Sequence, residues 1–358
     1  MYAVIMAGGR GTRFWPRSRE KKPKHLLDII SNKTIIQETV DRIKPLITAE
    51  NILIVTGKKH VRALMSQLPE IPSGNIIVEP EGKNTAPCIG LAALHIKKEA
   101  GDDIMVVLPS DHAIADSRKF LQVVKAAAKT AASIDVLVTI GIEPTSPQTG
   151  FGYIERGDSI GEETTEEVFR VKSIREKPDS RQAEEFVQNG RFYWNSGMFI
   201  WRASTILKAI SLWLPDLSSG LTTINETLGS PGEKAAIRRI YKNLAPISID
   251  YGVMEKADNV FVVKGDFGWS DVGSWDALAE ISVKDENGNT FIGGGSLITK
   301  GSTGSLVYSR QKLVALAGVK DLIVVETKDA LLICQKGNSQ EVKKIVEILE
   351  ASKMKKYL

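Results

Sequence analysis

Met6-Ala-Gly-Gly-Arg-Gly-Thr-Arg-Phe-Trp-Pro-Arg-Ser-Arg19 is the stretch from which the rest of the chain is read. It follows a short apolar run, Ala3-Val4-Ile5, so a strand runs directly into a glycine loop and then into cationic side chains. Glycines at Gly8, Gly9 and Gly11 allow positive φ and let backbone N–H groups approach a ligand with no Cβ in the way. Arg10, Arg13 and, further on, Lys24 add fixed positive charge. Together these features point to a polyphosphate ligand, with the amides of Gly8, Gly9, Gly11 and Thr12 as its cradle.

Two better-known phosphate loops do not fit. A Walker A loop needs G-x-x-x-x-G-K-[ST], and Gly57-Lys58-Lys59 lacks both the earlier glycine and the hydroxyl residue. A dinucleotide fingerprint needs G-x-G-x-x-G, and Gly9-Arg10-Gly11-Thr12-Arg13-Phe14 lacks the third glycine. The form that remains, G-G-x-G-T-R with a later Pro23-Lys24, resembles the signature of sugar-1-phosphate nucleotidylyltransferases. A plain Gly-rich turn with exposed arginines is the bland alternative, and Arg13 with Pro23-Lys24 counts against it.

The remaining composition narrows the class. A chain of 358 residues is long enough for two domains. A net charge of +4 is too small for bulk nucleic-acid binding. Cys88 and Cys334 have no C-x-x-C partner, and the four histidines show no H-x-x-x-H spacing, so no thiol or zinc site is expected. No secretory signal and no stretch near the ~18 residues of a membrane span are visible, so a cytoplasmic protein without a membrane partner is expected.

Strand-like runs at 2–6, 51–55, 75–78, 104–108 and 136–140 alternate with helical stripes. The stripes are Ile36/Val40/Ile43, Val61/Leu64/Met65/Leu68, Ile89/Ala92/Ala93/Ile96 and Phe120/Val123/Val124/Ala127. This pattern predicts an α/β fold: a Rossmann-like, mostly parallel mixed sheet flanked by helices. The loops after the first, third and fourth strands should leave one edge of that sheet, where ligands bind. Longer strands at 150–155, 168–176 and 193–201 read as an antiparallel extension, with Asp179 capping a helix that stops at Gly190. Phe192, Tyr193, Trp194 and Phe199 read as core. Past Gly293-Gly294-Gly295 the chain turns to short Gly/Ser/Val-rich strands and a terminal helix. We place a boundary near 285, giving domains 1–285 and 286–358.

Several polar residues stand at strand ends. Asp111 and Asp271 each follow an apolar strand and suit Mg²⁺, which takes one or two carboxylates plus phosphate oxygens. Either aspartate alone fits a turn or cap equally well. Glu176-Lys177 joins a hydroxyl acceptor to a phosphate-binding cation, and Asn195 in Trp194-Asn195-Ser196-Gly197 suits bidentate hydroxyl recognition. Asn84 and Thr85 would meet a base or ribose, or Thr85 would only cap its helix. His112 reads as a structural histidine.

With these motifs in order, and with Lys83-Asn84-Thr85-Ala86-Pro87 and Ser248-Ile249-Asp250-Tyr251-Gly252-Val253-Met254-Glu255, the chain resembles the mannose-1-phosphate guanylyltransferase branch of that family. The resemblance covers 1 to about 278, and the tail more loosely. It implies transfer of GMP from GTP to mannose 1-phosphate, giving GDP-mannose and pyrophosphate with Mg²⁺. Arg13 and Lys24 would serve the triphosphate, and Asp111 and Asp271 the metal. Gly150, Glu176, Lys177 and Asn195 would hold the sugar phosphate. It also implies a small C-terminal β domain, often a short left-handed β-helix, that supports a homodimer. No phosphomannose isomerase domain is expected, since the chain ends early and lacks its histidine-rich site. The rivals are a glucose-1-phosphate enzyme using ATP or dTTP, a catalytically silent nucleotide-sugar-binding subunit, and a molybdopterin guanylyltransferase.

Overall fold

The computed structural model describes residues 1–160 and 166–358. They form two compact units, one of 1–8, 40–110 and 114–269, the other of 9–39, 111–113 and 270–358.

The first unit is built on a nine-stranded sheet. Its strands are β1 (Tyr2–Ala7), β2 (Ile52–Gly57), β3 (Ile76–Glu79), β4 (Ile104–Pro109), β6 (Leu137–Ile142), β7 (Tyr153–Ser159), β8 (Val168–Arg175), β9 (Phe192–Arg202) and β10 (Val260–Gly265). A two-residue strand, β5 (Ala113–Ile114), falls outside that sheet. The order is β3-β2-β1-β4-β9-β6-β10-β8-β7, with β7 also pairing with β9. Ile5 lies opposite Ile54 on one side and Leu108 on the other, both in parallel register. Only β9 and β8 run against the rest, so the sheet is mixed and mostly parallel.

Consecutive residues of β1, β2 and β4 are buried, as strands covered on both faces must be. The helical stripes at Ile89/Ala92/Ala93/Ile96 and Phe120/Val123/Val124/Ala127 are buried in full. Met65 departs from its predicted stripe: it is 45% exposed, while Leu64 and Leu68 are buried. Asp179 caps α5 (Ser180–Asn189) with a complete capping box, and Gly190 ends it in the left-handed region. A helix not read from the sequence, α7 (Pro215–Thr227), contains Gly220, where a Cβ would meet the Ile240 side chain at 2.6 Å.

Strand order reverses at β1, whose neighbours β2 and β4 continue in opposite directions across the sheet. Such a switch point opens a crevice beyond the carboxyl ends of the strands. Ser110 N donates to Met6 O at 3.3 Å, tying the ends of β4 and β1 together.

In the second unit, β12 (Thr290–Ile292), β14 (Leu306–Tyr308) and β16 (Leu322–Glu326) pair in parallel, as do β13 (Ser296–Lys300) and β15 (Leu313–Ala317). Thr290 faces Leu306, and Leu306 faces Ile323, so the chain winds in successive coils. β17 (Leu331–Gln335) closes the layer antiparallel to β16. The terminal helix α10 (Val342–Ala351) buries Val342 and Val346 in a core shared with Phe14, Trp15, Trp275 and Tyr308.

Candidate active site

In the second unit, Gly9 and Gly11 have φ of +87° and +61°. At Gly11 the requirement is double, because a Cβ would also lie 2.5 Å from Lys24 Cβ. The loop turns at once into a 3₁₀ turn, Thr12–Phe14, anchored by Phe14 against Trp275 with ring centroids 5.0 Å apart. Arg13, beside the buried Phe14, is exposed. Pro23 starts a second 3₁₀ turn that places Lys24 almost wholly inside, 6% exposed.

Lys24 Nζ contacts Asp111 Oδ2 at 2.9 Å and donates to the Asp271 carbonyl oxygen at 2.5 Å. Asp271 is held on strained backbone: the next residue, Val272, is β-branched and buried yet has φ of +44°. Such conformations persist only where the surroundings impose them, and they gather at functional sites. Here Gly273 N donates to Asp271 Oδ1 at 3.0 Å, and Val272 N to Ser270 Oγ at 3.1 Å.

The two carboxyls are driven apart electrostatically. Burial pushes Asp111 up, but Lys24, His112 and His25 outweigh it and hold the group below its ordinary value. Burial and the Asp111 charge push Asp271 up, against Lys24, the Gly273 amide and Arg13. The strand-end aspartates, the loop arginine and the buried lysine therefore share one field. The two carboxylates offer hard oxygen donors of the kind Mg²⁺ takes together with phosphate oxygens. Among the described residues no cluster of three metal-ligating side chains competes with it.

Arg10 is occupied otherwise, with its guanidinium 2.6 Å from Glu350 of α10. Trp15 Nε1 donates to Tyr357 O at 2.8 Å, so the end of the chain braces the loop.

In the first unit, β3 ends at Glu79, which burial raises to about 7 against a Tyr241 hydrogen bond. Asn84, with φ of +69°, caps α3 (Thr85–Ala100) by accepting from Thr85 N at 2.8 Å. The cap is thus Asn84 and not Thr85. Thr85 instead accepts from Ile249 N at 2.8 Å.

A second polar cluster lies in the same unit. Asn195 Nδ2 donates to Glu176 Oε1 at 3.0 Å and to Asp250 Oδ1 at 2.7 Å. Its Oδ1 accepts from Gly197 N and from Thr139 Oγ1, both at 3.2 Å. Glu255 Oε1 accepts from Glu176 N at 2.9 Å. Burial and the Asp250 charge push Glu176 up to about 7, and burial also raises Asp250. Lys177, with φ of +48°, adds a nearby cation. Gly152 abuts this group: Asn195 N donates to its carbonyl at 2.8 Å, and a Cβ there would collide with Glu176 Oε1. Gly150 is exposed and opens to space. Phe151 packs edge-on against Trp194 and Trp269 at 5.1 and 5.4 Å.

Most of the residues picked from the sequence thus fall into three groups. Gly9, Gly11, Thr12, Arg13, Lys24, Asp111 and Asp271 belong to the second unit; Asn84 and Thr85, and then Glu176, Lys177 and Asn195, belong to the first. Gly8 ends the first stretch of the first unit. Asp250 and Gly152 were not singled out. The motif Ser248–Glu255 held Asp250, but its pairing with Asn195 spans 55 positions and leaves no local pattern.

A family model described as nucleotidyl transferase matches residues 2–288, and one described as mannose-P isomerase/GMP-like beta-helix domain matches 295–349. A mannose-1-phosphate guanylyltransferase of Klebsiella pneumoniae is 39% identical over 357 residues, 99% of this chain and 75% of that protein. One of Escherichia coli K12 is also 39% identical, over 98% of this chain and 74% of its own length. A solved structure from Thermus thermophilus, described as a mannose-1-phosphate geranyltransferase, superposes with a TM-score of 0.89 at 33% identity. That match covers 98% of this chain and 99% of the other.

Proposed function

The chain belongs to the nucleotidyl transferase family, with mannose-1-phosphate guanylyltransferases among its relatives, and on that premise we propose that it makes GDP-mannose from GTP and mannose 1-phosphate. The observation that carries this reading is Lys24, which joins Asp111 to the Asp271 segment behind the glycine loop.

The chemistry follows from charge. A nonbridging oxygen of mannose 1-phosphate attacks the α-phosphorus of GTP in line. One P–O bond forms, and the bond to the β-phosphate breaks, releasing pyrophosphate. The attacking group has a second pKa near 6, so it is already dianionic at pH 7 and needs no general base. The barrier is electrostatic: anion approaches anion while charge grows on the leaving group. The amides of Gly9–Thr12 would hold the polyphosphate, and Arg13 and Lys24 would stabilise the developing charge. Asp111 and Asp271 would hold Mg²⁺, which when bound supplies neutralisation of phosphate charge. Lys177 would meet the sugar phosphate, and the Glu176–Asn195 cluster would orient the hexose. Asn84 would meet the base or ribose.

Domains 1–285 and 286–358 belong to the same proposal, supported by two separate family matches over 2–288 and 295–349. A homodimer formed through the C-terminal strands is supported by exposed Ile298, Leu313, Leu331 and Ile333. Among the described residues no helix is long and apolar enough to cross a membrane. A cytoplasmic location, where GTP is available, is part of the same proposal.

Pyrophosphate release with four NTPs and several hexose 1-phosphates tests the function. GTP with mannose 1-phosphate should give the highest kcat/KM. Preference for ATP or dTTP with glucose 1-phosphate would overturn it, as would nucleotide-sugar binding without turnover.

A further inference from the structure

In the first unit, residues 83–86 and 247–249 are laced together. Ile247 N donates to Lys83 O and Ala86 N to Ile247 O, both at 3.1 Å, and Ile249 N donates to Thr85 Oγ1 at 2.8 Å. The next residue opens a π-helical turn, Asp250–Met254. Such turns are rare and recur at functional sites. This one ends beside Glu255, which accepts from the Glu176 amide. One peptide therefore separates the Thr85 hydroxyl from a carboxyl that faces Asn195.

Asn195 has no hydrogen left for a ligand. An amide nitrogen carries two, and one goes to Glu176 and the other to Asp250. Its oxygen already accepts from Gly197 and Thr139. The groups with acceptor capacity to spare are the carboxyls themselves, since a carboxylate has about four lone-pair sites. Bringing two carboxyls to one amide is unfavourable for the free protein, and hydroxyl donors from a sugar would relieve it.

We propose that Asp250 is the hexose-hydroxyl acceptor working beside Glu176, that Asn195 is the spacer fixing the pair, and that Thr85 positions Asp250 through the Ile249 amide. This deepens the sugar-nucleotide function proposed above and rests on it. The loop 83–86 and the sugar-recognising carboxyls would then keep a common register.

Kinetics with the hexose 1-phosphate that the wild type prefers, and with each of its mono-deoxy forms, test the assignment. Asp250→Asn should raise KM for the hexose 1-phosphate about tenfold or more, the effect of a lost charged hydrogen bond, and leave KM for GTP within about twofold. One deoxy form that is poor for the wild type should be no poorer than the parent sugar for Asp250→Asn. Thr85→Val should raise the same KM several-fold, and Thr85→Ser should restore it. The assignment is overturned if the sugar KM moves less than twofold, if both KM values rise together, or if every deoxy penalty is equal in wild type and variant. Should Asp250→Asn fail to fold in a thermal melt, Asp250→Glu carries the deoxy comparison with the same two outcomes. A wild type that turns over no hexose 1-phosphate refutes the function; an active one whose sugar kinetics ignore Asp250 refutes this assignment alone.

Discussion

Lys24 Nζ and Asp111 Oδ2 meet at 2.9 Å although 87 positions separate them. The same ammonium reaches the Asp271 carbonyl, so one buried cation sets the spacing of both metal-ligand candidates. Lys24→Met should lower kcat by roughly 10²–10³, the usual effect of losing one preorganised charge. Lys24→Arg should not rescue it, because a planar guanidinium cannot replace a compact ammonium in that slot. Steady-state rates against GTP and mannose 1-phosphate check this, and full activity in Lys24→Arg would contradict it.

Gly11→Ala should destabilise the protein by about 1–3 kcal/mol, since it adds positive-φ strain to a collision with Lys24. Gly150→Ala should change stability by less than about 0.5 kcal/mol, because open space surrounds it. Thermal or urea unfolding distinguishes the two.

The contrast between these glycines shows what was legible in the sequence. β1, the glycine loop and the aspartate after β4 are local patterns: an apolar run, then residues only a ligand-facing turn needs. The parallel sheet followed from strand–helix alternation, and the capped helix at Asp179 from its own letters. Pairings across long separations left no such trace. Asp250 sits in a π-helical turn with no period to detect. α7 was hidden by Gly220, a poor helix former that this helix keeps for contact with Ile240. Thr85 reads as a cap until the Ile249 amide claims its hydroxyl.

Glu79 and Glu176 both have folded-state values of about 7, above their ordinary 4.5. The folded protein therefore binds these protons more tightly than the unfolded chain. Their contribution to stability is fully present below about 4.5 and is lost as pH rises through about 7. In ligand-free protein, Glu79→Gln and Glu176→Gln should each flatten the fall in unfolding free energy over that window. Urea titrations at several pH values measure it, and an unchanged slope in both variants would contradict it.

Arg10 and Glu350 form an exposed pair at 2.6 Å. Such pairs contribute about 0–1 kcal/mol. Glu350→Gln should free Arg10 for the polyphosphate and lower KM for GTP by up to a few-fold, with kcat unchanged. A rise in KM for GTP would show that the pair orders the loop instead.

The central claim is that Asp111 and Asp271 hold one divalent ion against the triphosphate. Electron paramagnetic resonance of Mn²⁺ titrated into protein with GTP tests it without turnover. The wild type should bind Mn²⁺ tightly only when GTP is present. Asp111→Asn and Asp271→Asn should each weaken that binding tenfold or more, and the double variant little further. Mn²⁺ affinity unchanged in both single variants would contradict the claim.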